Sequence, residues 1–306
     1  MSSIDQLVKV LCDCTGAVAD ILASTPVHHV GTENQFGDAQ LSVDVQSDKK
    51  IFEILESSGI VSHAASEEEP ELRNINSALS SGYVVCFDPL DGSSIVDCNW
   101  SVGSIFGIYD KSPIGLSGKD QVMAAVSVYG PRTTLIIAKR DGSVVELTRT
   151  SDKDWILTNQ FENGIKADAK IFSPANLRSA QDLPGYASLV DSWMSKRLTL
   201  RYTGGMVPDV AAILIKGNGI FCSPVSSKAP AKLRLLFECA PIAFIVEAAG
   251  GLALTGREKN ERILDVKIQS TDDRIGIVCG SRNEVERAVE SIITTTQSQR
   301  IVSSGA

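Results

Sequence analysis

Ile4, Leu7, Val8, Leu11, Val18, Ile21 and Leu22 recur at helical spacing, so the chain is predicted to begin with an amphipathic helix. Residues 23–40 are polar and contain glycine, which predicts a loop. Ile51, Phe52, Ile54 and Leu55 belong to a second helix ending near Gly59. Ile60 to Ala64 reads as a short strand running into the acidic loop Ser66-Glu67-Glu68-Glu69-Pro70. The run Tyr83-Val84-Val85-Cys86-Phe87 has no polar position, the pattern of a buried strand. Val102 to Tyr109, Ala124 to Tyr129 and Thr133 to Ala138 follow as strands, and Asp141-Gly142 marks a hairpin turn before Ser143 to Leu147. Together they resemble an antiparallel meander. Beyond about residue 165 strands and helices alternate again. Leu233 to Ala249 is apolar nearly all round, which predicts a buried helix broken or kinked by Pro241. Arg274 to Cys279 reads as a strand and Asn283 to Ile293 as a closing helix. The pattern predicts a layered, mixed α/β chain.

Acidic residues stand wherever these elements end. Asp38 follows Gly37 in the first loop, Asp44 and Asp48 open the second helix, and Glu67 and Glu68 follow a strand. Asp88 and Asp91 follow another, in Phe87-Asp88-Pro89-Leu90-Asp91-Gly92-Ser93-Ser94. There Pro89 fixes the backbone direction and Gly92 permits an unusual φ. Ser93 and Ser94 are natural helix N-cap residues beside N–H groups that bind phosphate. Glu238 interrupts an apolar run, where a carboxylate is costly to bury unless paired or metal-bound. Blander readings exist for each: Asp44 as a helix cap, Glu67-Glu68-Glu69 as a solvated loop, Glu238 as a partner of Arg234 one turn earlier. If the carboxylates converge, they demand divalent cations, and oxygen-only ligands suit Mg²⁺ or Mn²⁺ better than zinc. Arg201-Tyr202 and Lys232-Leu233-Arg234 are the basic counterpart, fit to clamp a second phosphate.

The net charge of −8 over 306 residues argues against a nucleic-acid surface and leaves a small phosphate ester open. Seven scattered cysteines suggest reduced core thiols, with Cys12 and Cys14 packed in the first helix. No segment is long and apolar enough to cross a membrane, so no membrane partner is expected. The N-terminus lacks the character of a targeting segment, which favours a cytoplasmic location, although a processed organellar form would look the same.

These motifs resemble the fructose-1,6-/sedoheptulose-1,7-bisphosphatase family, within the larger group of Mg²⁺-dependent, lithium-sensitive sugar and inositol phosphatases. Asp88 to Ser94 carries the larger group, and Gly37-Asp38, Val43-Asp44, Ser66-Glu67-Glu68 and Lys232 to Glu238 narrow it to the sugar bisphosphatases. The likeness runs from about residue 34 to 283. It implies a layered αβαβα fold. It implies a metal- and phosphate-binding half over 1–165 and a sugar-binding half over 166–306, packed as one unit. It implies Glu67, Asp88, Asp91, Glu238 and the Leu90 carbonyl as metal ligands, with Asp38 near a further metal, and more than one Mg²⁺ per site. Asp44 and Glu68 match the pair that activates the attacking water. Asp91, Gly92, Ser93 and Ser94 would contact the cleaved phosphate. Asn176, Arg201, Tyr202 and Lys232 would hold the sugar and its remote phosphate, with Met206 against the sugar.

Within the family, Ser93 to Asp97, Tyr129 to Thr134 and Leu200 to Asp209 look like the sedoheptulose-1,7-bisphosphatase branch. Fructose-1,6-bisphosphatases typically carry Asn at the place of Ile95, and Tyr at or near the places of Ser179 and Ser223. The resemblance therefore implies hydrolysis of the 1-phosphate of sedoheptulose 1,7-bisphosphate. The alternatives are a fructose-1,6- or dual-specificity enzyme and, more remotely, an inactive sugar-phosphate sensor. It also implies a homodimer or homotetramer. The AMP-binding Gly-Thr-Gly-Glu-Leu segment is missing, so no AMP inhibition is expected. Val27 and Thr32 stand where plastid relatives carry a regulatory Cys pair.

Overall fold

The computed structural model describes residues 3–33, 39–79 and 81–304. The chain runs through α1 (Ser3–Ser24), β1 (His29–Glu33), β2 (Ala39–Leu41), α2 (Ser42–Ser57), β3 (Val61–Ser66), β4 (Arg73–Asn74) and β5 (Tyr83–Asp91). A single turn, α3 (Ser93–Val96), leads to β6 (Val102–Tyr109), β7 (Met123–Tyr129), β8 (Thr133–Lys139), β9 (Val144–Arg149) and β10 (Trp155–Gln160). The second half contains β11 (Ile171–Pro174), α4 (Pro184–Ser195), β12 (Thr199–Leu200), α5 (Met206–Lys216) and β13 (Ile220–Ser223). It closes with α6 (Ala240–Ala248), β14 (Leu252–Leu254), β15 (Ile277–Gly280) and α7 (Arg282–Ser304).

Two sheets organise the molecule. The larger has eight strands in the order β10-β9-β8-β7-β6-β5-β3-β4, and β5 to β10 form the antiparallel meander. The smaller has five, in the order β12-β11-β13-β15-β14. Period-two alternation assigns their faces. In β5, Val85 and Phe87 join α1 and α2 in one core, while Val84 and Cys86 join α5 and α6 in another. A third core lies between the smaller sheet and α4 with α7. The stack is therefore α1/α2, large sheet, α5/α6, small sheet, α4/α7: the expected layered αβαβα architecture. It explains why Ala240–Val246 is apolar all round, since α6 has a sheet on either side.

Several details depart from the sequence reading. The loop expected over 23–40 contains the antiparallel pair β1–β2, and residues 34–38 between them lie outside the described residues. Pro241 neither breaks nor kinks a helix. Leu235–Cys239 forms a π-helical turn, and Pro241 sits in the first turn of α6, where its missing N–H costs nothing. The strand expected from Arg274 begins only at Ile277, and the closing helix continues beyond Ile293 to Ser304. β10 was not foreseen, because Ile156 and Leu157 are exposed on this edge strand and give no buried pattern. Cys98 is exposed rather than in the core, whereas the other six cysteines are buried and all seven are free thiols. No helix among the described residues is long and apolar enough to cross a membrane.

Candidate active site

Asp88 and Asp91 are three residues apart in one strand, a spacing that places side chains on opposite faces of a regular sheet. The pairing of β5 with β6 resolves this. Asp88 lies opposite Ile105 and Asp91 opposite Gly103, so β5 carries one extra residue between them. This β-bulge at Pro89-Leu90 turns Asp91 back to the face of Asp88, and the missing Pro N–H is tolerated there. That face continues the Val84 and Cys86 row toward the π-helical turn, which delivers Glu238. Carboxylate oxygens of Asp88, Asp91 and Glu238 lie within 4.8 Å of one another, and all three residues are buried.

Each acid is held by backbone N–H groups. Asp88 Oδ1 accepts from Leu90 N at 2.8 Å. Asp91 Oδ1 and Oδ2 accept from Met206 N at 3.2 Å and Val207 N at 2.6 Å, the first turn of α5. Glu238 Oε2 accepts from Arg234 N at 2.5 Å, so the expected Arg234–Glu238 pairing includes a backbone bond, and the Arg234 charge also acts on Glu238. The Arg234 guanidinium is buried and pairs with Glu67. Burial and then the neighbouring charge of Glu67 push the Asp88 and Glu238 carboxyls well above the ordinary range. Burial lifts Asp91 to about 6 against the two N–H bonds from α5. The Arg234 charge opposes the rise at Glu238 without cancelling it. A buried cluster of hard oxygen donors whose charges repel one another fits a divalent cation.

A second acidic pair lies beside the first. Asp44 is not itself the cap residue of α2, which is Leu41; it stands in the first turn and accepts from Leu41 N at 3.1 Å, so it takes part in the cap. Its other oxygen, Oδ1, is buried with no hydrogen-bond partner. Burial, then Glu68 and Glu67 against the bond from Leu41, raise its carboxyl to about 7. Glu68 accepts from Gln40 Nε2 at 2.6 Å. Asp38 lies outside the described residues.

Asp91 also belongs to the wall of a cavity of about 440 Å³, lined by Ser94, Asn176, Tyr202, Gly204, Met206 and Lys232 among others. Ser93 and Leu90 are not part of that wall. The helix cap before Ser93 is Gly92 at φ 90°, so the serines are the first residues of the turn and not its caps. Asn176 adopts φ 45° and spends its amide on the carbonyls of Pro224, at 2.7 Å, and Ala229, at 3.1 Å. Arg201 is not brought to the wall; its guanidinium is exposed and donates to Leu200 O at 2.9 Å. Of the two serines standing near tyrosine positions, Ser223 lines the cavity. Ser179 is buried and donates to Asn176 O at 2.8 Å.

Some contributors were missed. Arg178 lines the cavity, in a stretch whose only signal was its closeness to Asn176. Asp209, one turn into α5, is buried and accepts from Thr203 N at 2.8 Å, bracing the Gly204-Gly205 approach to Asp91. A buried hydroxyl chain also reaches the bulge. Tyr129 bonds Ser104 at 2.8 Å, and Ser104 donates to Pro89 O at 2.7 Å. No periodicity marks such residues, since Ser and Tyr at strand positions are common.

Models of the fructose-1,6-bisphosphatase N-terminal and C-terminal domains match residues 2–160 and 165–293. A chloroplastic sedoheptulose-1,7-bisphosphatase of Spinacia oleracea is 42% identical over 275 residues, 89% of this chain and 70% of the relative. A class 1 fructose-1,6-bisphosphatase of Geobacter sulfurreducens is 39% identical over 290 residues, 94% of this chain and 91% of the relative. A Toxoplasma gondii crystal structure assigned as a sedoheptulose-1,7-bisphosphatase superposes with TM-score 0.88 at 40% identity, covering 95% of this chain and 94% of that one.

Proposed function

This chain belongs to the fructose-1,6-bisphosphatase family, whose members act on sugar bisphosphates, and we propose that its substrate is sedoheptulose 1,7-bisphosphate. It is a phosphoric monoester hydrolase, and the proposed products are sedoheptulose 7-phosphate and phosphate. The observation that carries the substrate is Ser223. It lines the same cavity as Lys232, near the place where the resemblance puts a phosphate-contacting tyrosine in fructose-1,6-bisphosphatases. A small side chain there leaves room for a longer sugar.

Asp88, Asp91 and Glu238 would hold the cation, with Glu67 adjoining them and Asp38 and the Leu90 carbonyl proposed to join. Mg²⁺, in more than one copy, is the proposed ion, with Mn²⁺ as a substitute. When bound it supplies charge neutralisation at the phosphoryl oxygens and a lowered pKa for water. Asp44 and Glu68, neighbours in charge of each other and of Glu67, are the proposed pair that takes the proton from the attacking water. The water oxygen bonds to phosphorus as the bond from phosphorus to the C1 oxygen breaks. The electron pair leaves on the sugar oxygen, which takes a proton from solvent. Asp91, Gly92, Ser93 and Ser94 position the phosphoryl group. Asn176, Tyr202, Lys232 and Met206, which line the cavity, hold the rest of the sugar phosphate, whereas Arg201 stands outside that wall.

Phosphate release from paired seven- and six-carbon bisphosphates, with and without Mg²⁺, tests this. The expected result is Mg²⁺-dependent release with the seven-carbon substrate preferred. A clear preference for fructose 1,6-bisphosphate would replace the proposed substrate with the other one. The division of labour between residues 1–165 and 166–306, a homodimer or homotetramer, and a cytoplasmic location are proposals of the same standing. Light scattering and cell fractionation test the last two.

A further inference from the structure

The cationic residues that line the cavity are Arg178 and Lys232. Lys232 belongs to the motif that marks the family, and Arg178 to no motif. Arg178 sits in the short turn Leu177–Gln181, which starts from Asn176 in its left-handed conformation. This turn is tied down twice. The Asn176 amide holds the carbonyls of Pro224 and Ala229, and Asp182 accepts from Ser226 Oγ at 2.6 Å. Both ties lead to the segment that continues through Pro230 and Ala231, also in the wall, to Lys232. The backbones carrying the two cations are thus fixed relative to one another before any ligand arrives. Preorganisation of this kind lowers the entropy lost on binding.

Three further observations concern Arg178 itself. Among the described residues no carboxylate pairs with it, although Asp182 four residues on does pair with Lys228, at 3.8 Å. The hydroxyl of Tyr202, raised by burial and by Asp209, is lowered by the Arg178 charge, so that charge reaches across to another wall residue. Arg201, the arginine expected at the sugar, donates to Leu200 O and stands outside the wall. A guanidinium without a carboxylate ion pair, lining the same cavity as a lysine, presents the planar fork that matches phosphate oxygens.

We propose that Arg178 binds the far phosphate of the substrate together with Lys232, and that it supplies the cationic contact where fructose-specific relatives use tyrosine hydroxyls. The proposal rests on the reading that this site takes a sugar bisphosphate. The replaced hydroxyls are neutral donors close to the wall. An arginine side chain is longer and charged, so it holds a phosphate on a longer sugar without closing the space at Ser223.

The test compares Arg178→Ala and Arg178→Lys with the parent on two substrates: sedoheptulose 1,7-bisphosphate and the 1-monophosphate of the same sugar. The ratio of the two kcat/KM values reads only what the far phosphate contributes, and it cancels any loss of folded enzyme. Arg178→Ala is expected to lower this ratio about 10- to 100-fold, mainly through KM, as for loss of a hydrogen bond to a charged group. Arg178→Lys should fall between, keeping the charge and losing the fork. Inhibition by sedoheptulose 7-phosphate, which carries only the far phosphate, should weaken in parallel. An unchanged ratio and unchanged inhibition would overturn the assignment. If the parent instead prefers six-carbon substrates, the seven-carbon reading fails. The same ratio measured with fructose 1,6-bisphosphate and fructose 1-phosphate then still decides the role of Arg178.

Discussion

Glu68 accepts a hydrogen bond from Gln40 and lies beside Asp44, so Glu68→Gln keeps its size and its neighbour while removing its basicity. The expected outcome is a fall in kcat of about 10²–10⁴-fold, the usual contribution of a general base. The Mg²⁺-induced thermal shift should be retained. A variant turning over at the parental rate would remove Glu68 from the mechanism. Tyr129→Phe addresses a different role. The Tyr129 hydroxyl holds Ser104, whose own hydroxyl holds Pro89 O inside the bulge. Its loss should lower stability by about 1 kcal/mol in urea titrations. It should also raise the Mg²⁺ concentration giving half-maximal activity, because the bulge that aims Asp91 is less firmly held. An unchanged Mg²⁺ requirement would confine Tyr129 to a role in stability.

Among the elements, β5 and α5 position the acids through Gly103. A Cβ at Gly103 would stand 2.4 Å from Val207 Cγ1 and 2.6 Å from Ser127 O, so only glycine lets α5 approach the sheet closely enough for Val207 N to reach Asp91. Gly103→Ala is expected to cost about 1–3 kcal/mol by overpacking. It should also weaken cation binding in calorimetry; parental affinity would show that α5 does not set the Asp91 geometry. α1 is fastened to β9 by the Arg149 fork on Asp20, at 2.8 and 3.0 Å. Chiefly through that hydrogen bonding, the Asp20 carboxyl falls from 3.8 to about 2. A depressed acid stabilises the fold above its unfolded value and loses that contribution as pH falls through the folded one. The difference in urea midpoint between parent and Asp20→Asn should therefore be constant near neutrality and shrink from pH ~4 towards ~2. A difference that persists unchanged down to pH ~3 and below would mean packing, not charge. These elements also show what could be read from sequence. The strands of the meander and both first helices carry clear periods of two or 3.6, and strand-end acids announce their chemistry. Asp88 and Asp91 were recognised as a pair, yet their common face depends on a bulge, which no spacing rule displays. Arg178 and Ser104 act through contacts made by distant segments, and a local pattern contains no trace of them.

At the scale of the molecule, five layers bring an N-terminal strand, a π-helical turn from the second half and the start of α5 to one point. Three buried acids oppose one another there, so removing divalent cations should both stop turnover and loosen the fold. Restoring Mg²⁺ at about 100 times its Kd should return about 2.7 kcal/mol of stability, read as a rise in Tm that a chelator reverses. No change in Tm would mean that the acids do not take the ion tightly. The first turn of α5 serves two ends at once: Met206 and Val207 N–H groups hold Asp91, and the Met206 side chain lines the cavity. Whatever seats a sugar against Met206 therefore also sets the carboxylate facing the ion. Thermodynamic reciprocity then requires that Mg²⁺ sharpen the affinity for a non-hydrolysable bisphosphate by the same factor that the bisphosphate sharpens the affinity for Mg²⁺. The enzyme would respond to its cation and its sugar as a product, not a sum, which makes a single helical turn the place where two separate concentrations are multiplied.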